Sequence, residues 1–134
     1  MARVETKVLF AGANTVSVAV AGSAVSDVIT LDATAVDAAI TIKADNAGIP
    51  AAGDTVDVYV LLSAGDPDGA AVADEYASQD STHAMWLCRL DTNVTDPAII
   101  TVRYPPVPQA GKIYVVNNGA SSVTVGAVIE EDRR

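Results

Sequence analysis

Alternation of apolar and polar residues along most of this chain is the feature that most constrains its fold. In residues 4–10 and 15–20, a valine, threonine or phenylalanine returns at every second position. A period of two places these side chains on one face of an extended strand, whereas a helix requires a period of 3.6. We predict nine strands, which are 4–10, 15–20, 25–31, 40–43, 54–63, 84–90, 99–104, 112–116 and 123–129.

Nine short strands separated by turn sequences predict an all-β fold, most simply an antiparallel two-sheet sandwich or jelly roll. The chain has 134 residues, which predicts one domain over 1–134 with a core of its own. Cys88 is the only cysteine, so no disulfide can form within the chain. Packing and hydrogen bonds must therefore hold the fold together.

Turn chemistry suggests how neighbouring strands pair. Short turns separate the first three strands, which we predict to form an antiparallel meander. Strands 112–116 and 123–129 read as a hairpin through Asn118-Gly119, because Asn-Gly readily takes the positive φ angles of tight turns. In strand 84–90 both faces are apolar, which predicts a central strand or one at an interface.

One long loop is expected at 64–83, where the period is lost. Its acidic residues are the best candidates for a calcium site, because calcium prefers several oxygen ligands brought together by a turning loop. Their spacing is not that of an EF-hand, and we expect solvated carboxylates and no cofactor. The acidic residues in question are Asp66, Asp68, Asp74 and Glu75.

Catalytic residue types are scarce. His83 is the only histidine and lies five positions from Cys88, so on one strand the two would face opposite sides of the sheet. We expect Cys88 to be a small core residue and His83 a loop residue. Nucleophile elbows, phosphate-binding loops and zinc-protease motifs are absent from the sequence. We therefore predict that the protein is not an enzyme.

The five large aromatic side chains with polar atoms permit two interpretations. Trp86 together with the tyrosines would suit a sugar-stacking platform, because aromatic faces match the apolar faces of sugars. We favour the other interpretation, in which Trp86 anchors the core and the tyrosines are half-buried with solvated hydroxyls. The tyrosines are Tyr59, Tyr76, Tyr104 and Tyr114.

Charge and hydropathy limit the partners. Eight Lys and Arg face 17 Asp and Glu, a formal charge of −9, and the cations are scattered apart from Arg133 and Arg134. Such a chain repels phosphate backbones, so we expect no nucleic-acid partner. Apolar runs stay below the length of a membrane span, so we expect no membrane and no export after synthesis in the cytoplasm.

The apolar content predicts a protein partner. Half of the residues are hydrophobic, more than a small monomer readily buries. Strict alternation places several large side chains on outer strand faces, where they would form an oligomer interface or docking surface. These candidate surface residues are Tyr59, Leu61, Met85, Leu87, Val116 and Val128.

The run from Gly111 to Val125, with the Ala/Val/Thr/Asp-rich, acidic and cysteine-poor character of the whole chain, resembles small decoration (cement) proteins of tailed bacteriophages. That resemblance implies a β-sandwich or β-tulip domain, a homo-oligomer that is commonly a trimer, and location in the virion. It implies binding to the major capsid protein on the outside of the head, which stabilises the assembled shell by linkage.

Within this resemblance, residues 1–7 are expected to act as an extended arm that adds to an exposed capsid strand, and 130–134 as a solvated tail. A phage tail, neck or fibre component is the first alternative. A calcium- or carbohydrate-binding β-sandwich module is the second, and it would use Asp66, Asp68 and an aromatic side chain.

Overall fold

The structure is a computed structural model that describes residues 2–62, 84–105 and 110–134. These residues form nine strands and no helix, so the described part of the chain offers no helix that could cross a membrane. The strands are β1 (Ala2–Val8), β2 (Thr15–Val18), β3 (Ser23–Val25), β4 (Ala35–Asn46), β5 (Thr55–Leu62), β6 (Met85–Asp91), β7 (Ala98–Arg103), β8 (Gly111–Asn117) and β9 (Val123–Arg133).

Two antiparallel sheets make up a jelly-roll-like sandwich, which confirms the predicted fold class. The first sheet has the order β1-β9-β4-β7, and β2 pairs with the same strand β9 beyond the end of β1. The second sheet has the order β3-β8-β5-β6. The first sheet joins strands that are distant in sequence, because β9 pairs with β1, β2 and β4.

The core lies between the inner faces of the two sheets. Along β5, Val56, Val58 and Val60 are at most 1% exposed, and Ile40 and Ile42 of β4 face them fully buried. Each such side chain contributes roughly 1.5–3 kcal/mol on burial. Cys88 belongs to the same cluster, as predicted.

Strand pairing differs from the prediction in three places. Strand 84–90, predicted to be central or at an interface, is not central, because as β6 it lies at the edge of its sheet. The first three strands do not form a meander, because β1 and β2 pair with β9 whereas β3 pairs with β8. The predicted hairpin of β8 and β9 is also wrong, since these strands belong to different sheets. Gly119 does not have a positive φ, and residues 118–122 form a connection between the two sheets.

Both ends of the described chain contain strands, β1 and β9. Residues 2–8 are not a free arm, because β1 pairs with residues 127–133 of β9 along its whole length. The predicted solvated tail is part of β9, and Glu131 in it is 3% exposed. The Glu131 carboxylate accepts hydrogen bonds from the Asp32 amide at 3.2 Å and from Arg133 Nε at 2.9 Å. Pairing and these bonds hold the terminus in the sheet.

The loop predicted at 64–83 lies outside the described residues. The calcium candidates, His83 and Tyr76 lie outside them too, so those predictions stay predictions.

Candidate binding surfaces

Four connections lie at the same end of the sandwich, which we call the four-loop end. They are 19–22, 47–54, 92–97 and 118–122, and they follow β2, β4, β6 and β8. The register brings them together, because Val123 at the start of β9 is paired with Val18 and with Asn46.

Asp54 joins two of these loops. Its Oδ1 accepts the Ala120 amide at 3.0 Å, and its Oδ2 accepts the Ala51 amide at 2.9 Å and Asn46 Nδ2 at 3.0 Å. The side chain is almost fully buried. The backbone donors of Ala120 and Ala51 hold the pKa of Asp54 below its usual value. Loops 47–54 and 118–122 are therefore held by one charged acceptor.

Asn46 and Asn117 attach the remaining loops. The backbone amide of Asn46 donates to Asp96 Oδ1 at 2.9 Å, which ties loop 92–97 to the end of β4. Asn117 Nδ2 donates to the carbonyls of Ala19 at 3.2 Å and Ser121 at 2.9 Å. Both asparagines are buried, at 8% and 1% exposure. The four loops thus form a single hydrogen-bonded platform.

The tips of this platform are apolar. Val20, Ile49 and Val94 are 52%, 91% and 79% exposed, and they lie on three different loops. The only charged residues in the four loops are Asp54 and Asp96, so no cation is present there. The four-loop end therefore presents aliphatic side chains and the exposed Asp96 on a hydrogen-bonded base.

A second surface lies on the outer face of the sheet β3-β8-β5-β6. Tyr59 of β5 is directly opposite Tyr114 of β8 and Trp86 of β6. The two tyrosine rings are 6.1 Å apart between centroids and inclined at 38°. Directly opposite side chains in a sheet have Cβ atoms about 5 Å apart, so these three residues form one aromatic row.

Trp86 is 58% exposed, which corrects the prediction that it anchors the core. A β-bulge in the β5–β6 pairing is the reason: Val58 is opposite Cys88 and Tyr59 is opposite Trp86, which leaves Leu87 as the extra residue. Each extra residue reverses the facing of those beyond it. Cys88 therefore points inward and Trp86 outward, although they are two positions apart.

A polar group lies beside the aromatic row, two residues along β5. Arg89 Nε and Nη2 donate to the two carboxylate oxygens of Asp57 at 2.7 and 2.9 Å, a bidentate pair. Asn118 Nδ2 donates to Asp57 Oδ2 at 3.0 Å. The Arg89 guanidinium holds the pKa of Asp57 below its usual value. We call Asp57, Arg89 and Asn118 the polar rung.

The six predicted surface residues do not form one patch. Tyr59 and Val116 share the outer face of the second sheet, whereas Val128 is on the outer face of the first. Leu61 is 1% exposed, so it is buried and not a surface residue. The bulge makes Leu87 half-buried against the core, which corrects its predicted outward position. Met85 is exposed at the start of β6, opposite Val60.

Sequence reasoning missed the polar rung and the four-loop end. Asp57 and Arg89 each interrupt an apolar strand with a single charge, and this was the available signal for a cross-strand pair. The buried asparagines had no comparable signal, because Asn46 and Asn117 look like ordinary turn residues.

The described residues include one thiol and no group of metal-ligating side chains. Burial raises the pKa of the Cys88 thiol to about 11, so it is protonated at neutral pH and a poor nucleophile. Within residues 2–62, 84–105 and 110–134, no three histidine, cysteine or acidic side chains are grouped as metal ligands.

No protein-family model and no curated protein matches this sequence. Among solved structures, the chain is similar to Clostridium thermocellum endo-1,4-beta-D-xylanase 10B, whose CBM22-1–GH10 modules are complexed with xylohexaose. The TM-score is 0.50 at 11% identity, over 98% of this chain and 26% of that one.

Two further likenesses are weaker. The xylan-binding module CBM15 has a TM-score of 0.48 at 12% identity, over 97% of this chain and 95% of that chain. The capsid of equine rhinitis A virus, a picornavirus, has a TM-score of 0.44 at 10% identity, over 96% and 72%. At such identities the likeness to the xylanase concerns the β-sandwich fold alone, and this chain spans about a quarter of that protein.

Proposed function

We propose that this chain is a non-enzymatic virion structural protein that decorates the outside of a phage head, and that the four-loop end contacts the shell. The observation that carries the proposal is a hydrogen-bonded set of loops with three exposed aliphatic tips. Singly exposed apolar residues are ordinary, but three on adjacent loops of one end favour a contact surface.

Rigidity strengthens such a contact. A loop that is ordered before binding loses less conformational entropy when it docks. Here Asp54, Asn46 and Asn117 already tie the loops together through buried and part-buried hydrogen bonds. Burial of Val20, Ile49 and Val94 can then contribute to affinity, because little conformational entropy is lost in ordering the loops.

The charge of the four-loop end indicates the chemistry of the partner. Asp54 and Asp96 are its only charged residues, and the chain as a whole carries a formal charge of −9. Complementary interfaces pair opposite potentials, which favours a capsid surface with apolar depressions bordered by lysine or arginine. The resemblance to decoration proteins supports the virion setting.

A homo-oligomer, with a trimer expected, fits this proposal. Cyclic symmetry presents the same end of every protomer to the same side of the assembly. Three four-loop ends would then engage one shell together, and several weak contacts would add as avidity. Light scattering on the purified protein measures the oligomer number directly.

The test uses heads of the encoding phage from which the protein has been stripped. Purified protein is added back, and bound copies per head are counted by quantitative mass spectrometry. Changing Val20, Ile49 and Val94 together to serine should reduce occupancy at least about tenfold, since each buried aliphatic side chain contributes more than 1 kcal/mol.

Val28→Ser is the matched control, because Val28 is 53% exposed yet lies outside the four loops. It should leave occupancy unchanged. The proposal fails if the triple variant binds heads as well as the unaltered chain. Absence of the protein from tail-less heads, with a low copy number on complete particles, would assign it to the tail or neck instead.

A further inference from the structure

The aromatic row lies apart from the loop tips and has no role in the contact proposed above. Trp86, the largest side chain type, is more than half exposed, whereas its neighbours Tyr59 and Tyr114 are half-buried and buried. An exposed tryptophan on a sheet face loses the apolar contacts that normally favour its burial. Its position therefore suits a ligand that covers the indole ring.

The polar rung lies within reach of the same ligand. Asp57 and Tyr59 are two positions apart on β5, a rise of roughly 6.6 Å, which one pyranose ring with its hydroxyl groups can span. Arg89 has five N–H donors, and two of them are engaged with Asp57. The remaining donors are presented on a side chain that is 57% exposed.

The charge at this site limits the class of ligand that it can bind. Asp57 neutralises Arg89, so the polar rung lacks the excess positive charge that a phosphate or sulfate would require. The formal charge of −9 further disfavours a polyanion. What remains is a neutral ligand with an apolar face that stacks on an aromatic ring and a polar edge that exchanges hydrogen bonds.

We propose that the aromatic row and the polar rung form a binding site for a neutral polysaccharide. The C–H face of one pyranose ring lies on Trp86, and Tyr59 extends the platform. Hydroxyl groups on the ring edge accept from Arg89 and exchange hydrogen bonds with the exposed Asn118 amide. Asn118 belongs to loop 118–122 of the four-loop end, but the site contains none of the three exposed loop tips. The proposal therefore holds whether or not the four-loop end binds a capsid.

Trp86 is the only tryptophan in the chain, so its fluorescence reports on this site directly. The first measurement titrates the protein with soluble xylan, laminarin, hydroxyethylcellulose and glycogen. We expect at least one of them to shift or enhance the emission, with saturation. The same polysaccharides are then cast into native gels, where the binding one retards the protein.

Variants identify the residues. Trp86→Ala should weaken retardation at least about tenfold, which corresponds to about 1.4 kcal/mol. Arg89→Met removes the donors but keeps an apolar stem, and we expect a smaller loss of severalfold. Ile99→Ala is the matched control, because Ile99 is 63% exposed on the outer face of the other sheet. It should not change retardation.

Three results would overturn the proposal. The first is that no polysaccharide changes either emission or mobility. The second is that Trp86→Ala is retarded as strongly as the unaltered chain. The third is an emission change that follows protein concentration alone, which would make this face a contact between copies of the chain.

Discussion

The outer faces of the two sheets differ in how their side chains are used. On the first sheet, exposed charges pair across strands, as in Arg3 with Glu130 and Arg103 with Asp37, both through contacts of 3.2–3.3 Å. On the second sheet, Leu61 and Tyr114 are buried, and Asp57 is held by a bidentate pair. The first face carries ion pairs that are exposed to solvent, whereas the second carries the bidentate Asp57–Arg89 pair beside the exposed indole of Trp86.

The largest expected difference between the faces concerns aliphatic side chains. Leu61→Ala should lower the free energy of unfolding by about 2–4 kcal/mol, because Leu61 is 1% exposed and its removal leaves a cavity. Val128→Ala, on the half-buried outer face of β9, should cost about 1 kcal/mol or less. Urea denaturation of both variants measures the difference, and equal losses would remove the contrast between the faces.

Removing the acidic residue of an ion pair should produce a smaller difference in the free energy of unfolding between the two faces. Asp57→Ala removes three hydrogen bonds from a carboxylate that is 10% exposed, and we expect a loss of about 1–2 kcal/mol after allowing for solvent screening at the exposed guanidinium. Asp37→Ala breaks a pair whose carboxylate is 44% exposed, and its effect should stay below about 0.5 kcal/mol. If Asp37→Ala lowered the free energy of unfolding as much as Asp57→Ala, the bidentate pair would add no more stability than the exposed pair.

The contribution of Asp57 should also depend on pH. Its pKa is lowered in the folded state by Arg89, so protons bind more readily to the unfolded chain. The stabilisation is therefore fully present above the unfolded pKa of about 4 and is lost as the pH falls through the folded value. The stability gap between the unaltered chain and Asp57→Asn should shrink from pH 7 to pH 3.

Asp54, whose pKa is also lowered, is present in both of these proteins, so its own titration cancels in the comparison. A gap that stays constant or widens in acid would contradict the ion-pair explanation.

The smallest expected effects on stability are those of the exposed apolar residues. Trp86→Ala and Ile99→Ala should each change the free energy of unfolding by less than about 1 kcal/mol, because the side chains are 58% and 63% exposed. In the unaltered chain, acrylamide should quench Trp86 emission efficiently. A shielded, blue-shifted emission in the free protein would mean that the bulge does not turn Trp86 outward.

Local pattern predicted most of the strands but not the facing of every residue. The predicted strand 25–31 is wrong, because β3 is Ser23–Val25. Val56, Val58 and Val60 lie on the inner face, as the alternation over residues 55–60 of β5 indicates. In β6 alternation fails at Leu87, where the bulge adds one residue and moves Trp86 to the opposite face from Cys88. No residue type near Leu87 signals a bulge, so Trp86 was wrongly assigned to the core.

The candidate sites, like the strands, were predictable from the sequence only in part. Asp57 and Arg89 were visible as lone charges in apolar strands, yet their pairing depends on the β5–β6 register. The four-loop end depends on Asn46, Asp54 and Asn117, which are 8 to 71 positions apart in sequence and meet only because their strands end together. Turn residues of this kind are polar whether they are solvated or buried.

By itself, the sequence determined that the chain is all-β, that valine-rich alternation supplies an aliphatic core, and that a lone cysteine leaves packing and hydrogen bonds to hold it. Only the tertiary structure decided which strands pair, because period-two alternation describes the two faces of a strand and says nothing about its neighbours. The partners of β9 lie more than 75 residues away in sequence, and the cost of closing such loops depends only weakly on their length. Complementary packing of the two sheets therefore selected the pairing, and with it the faces on which Trp86 and the polar rung are presented.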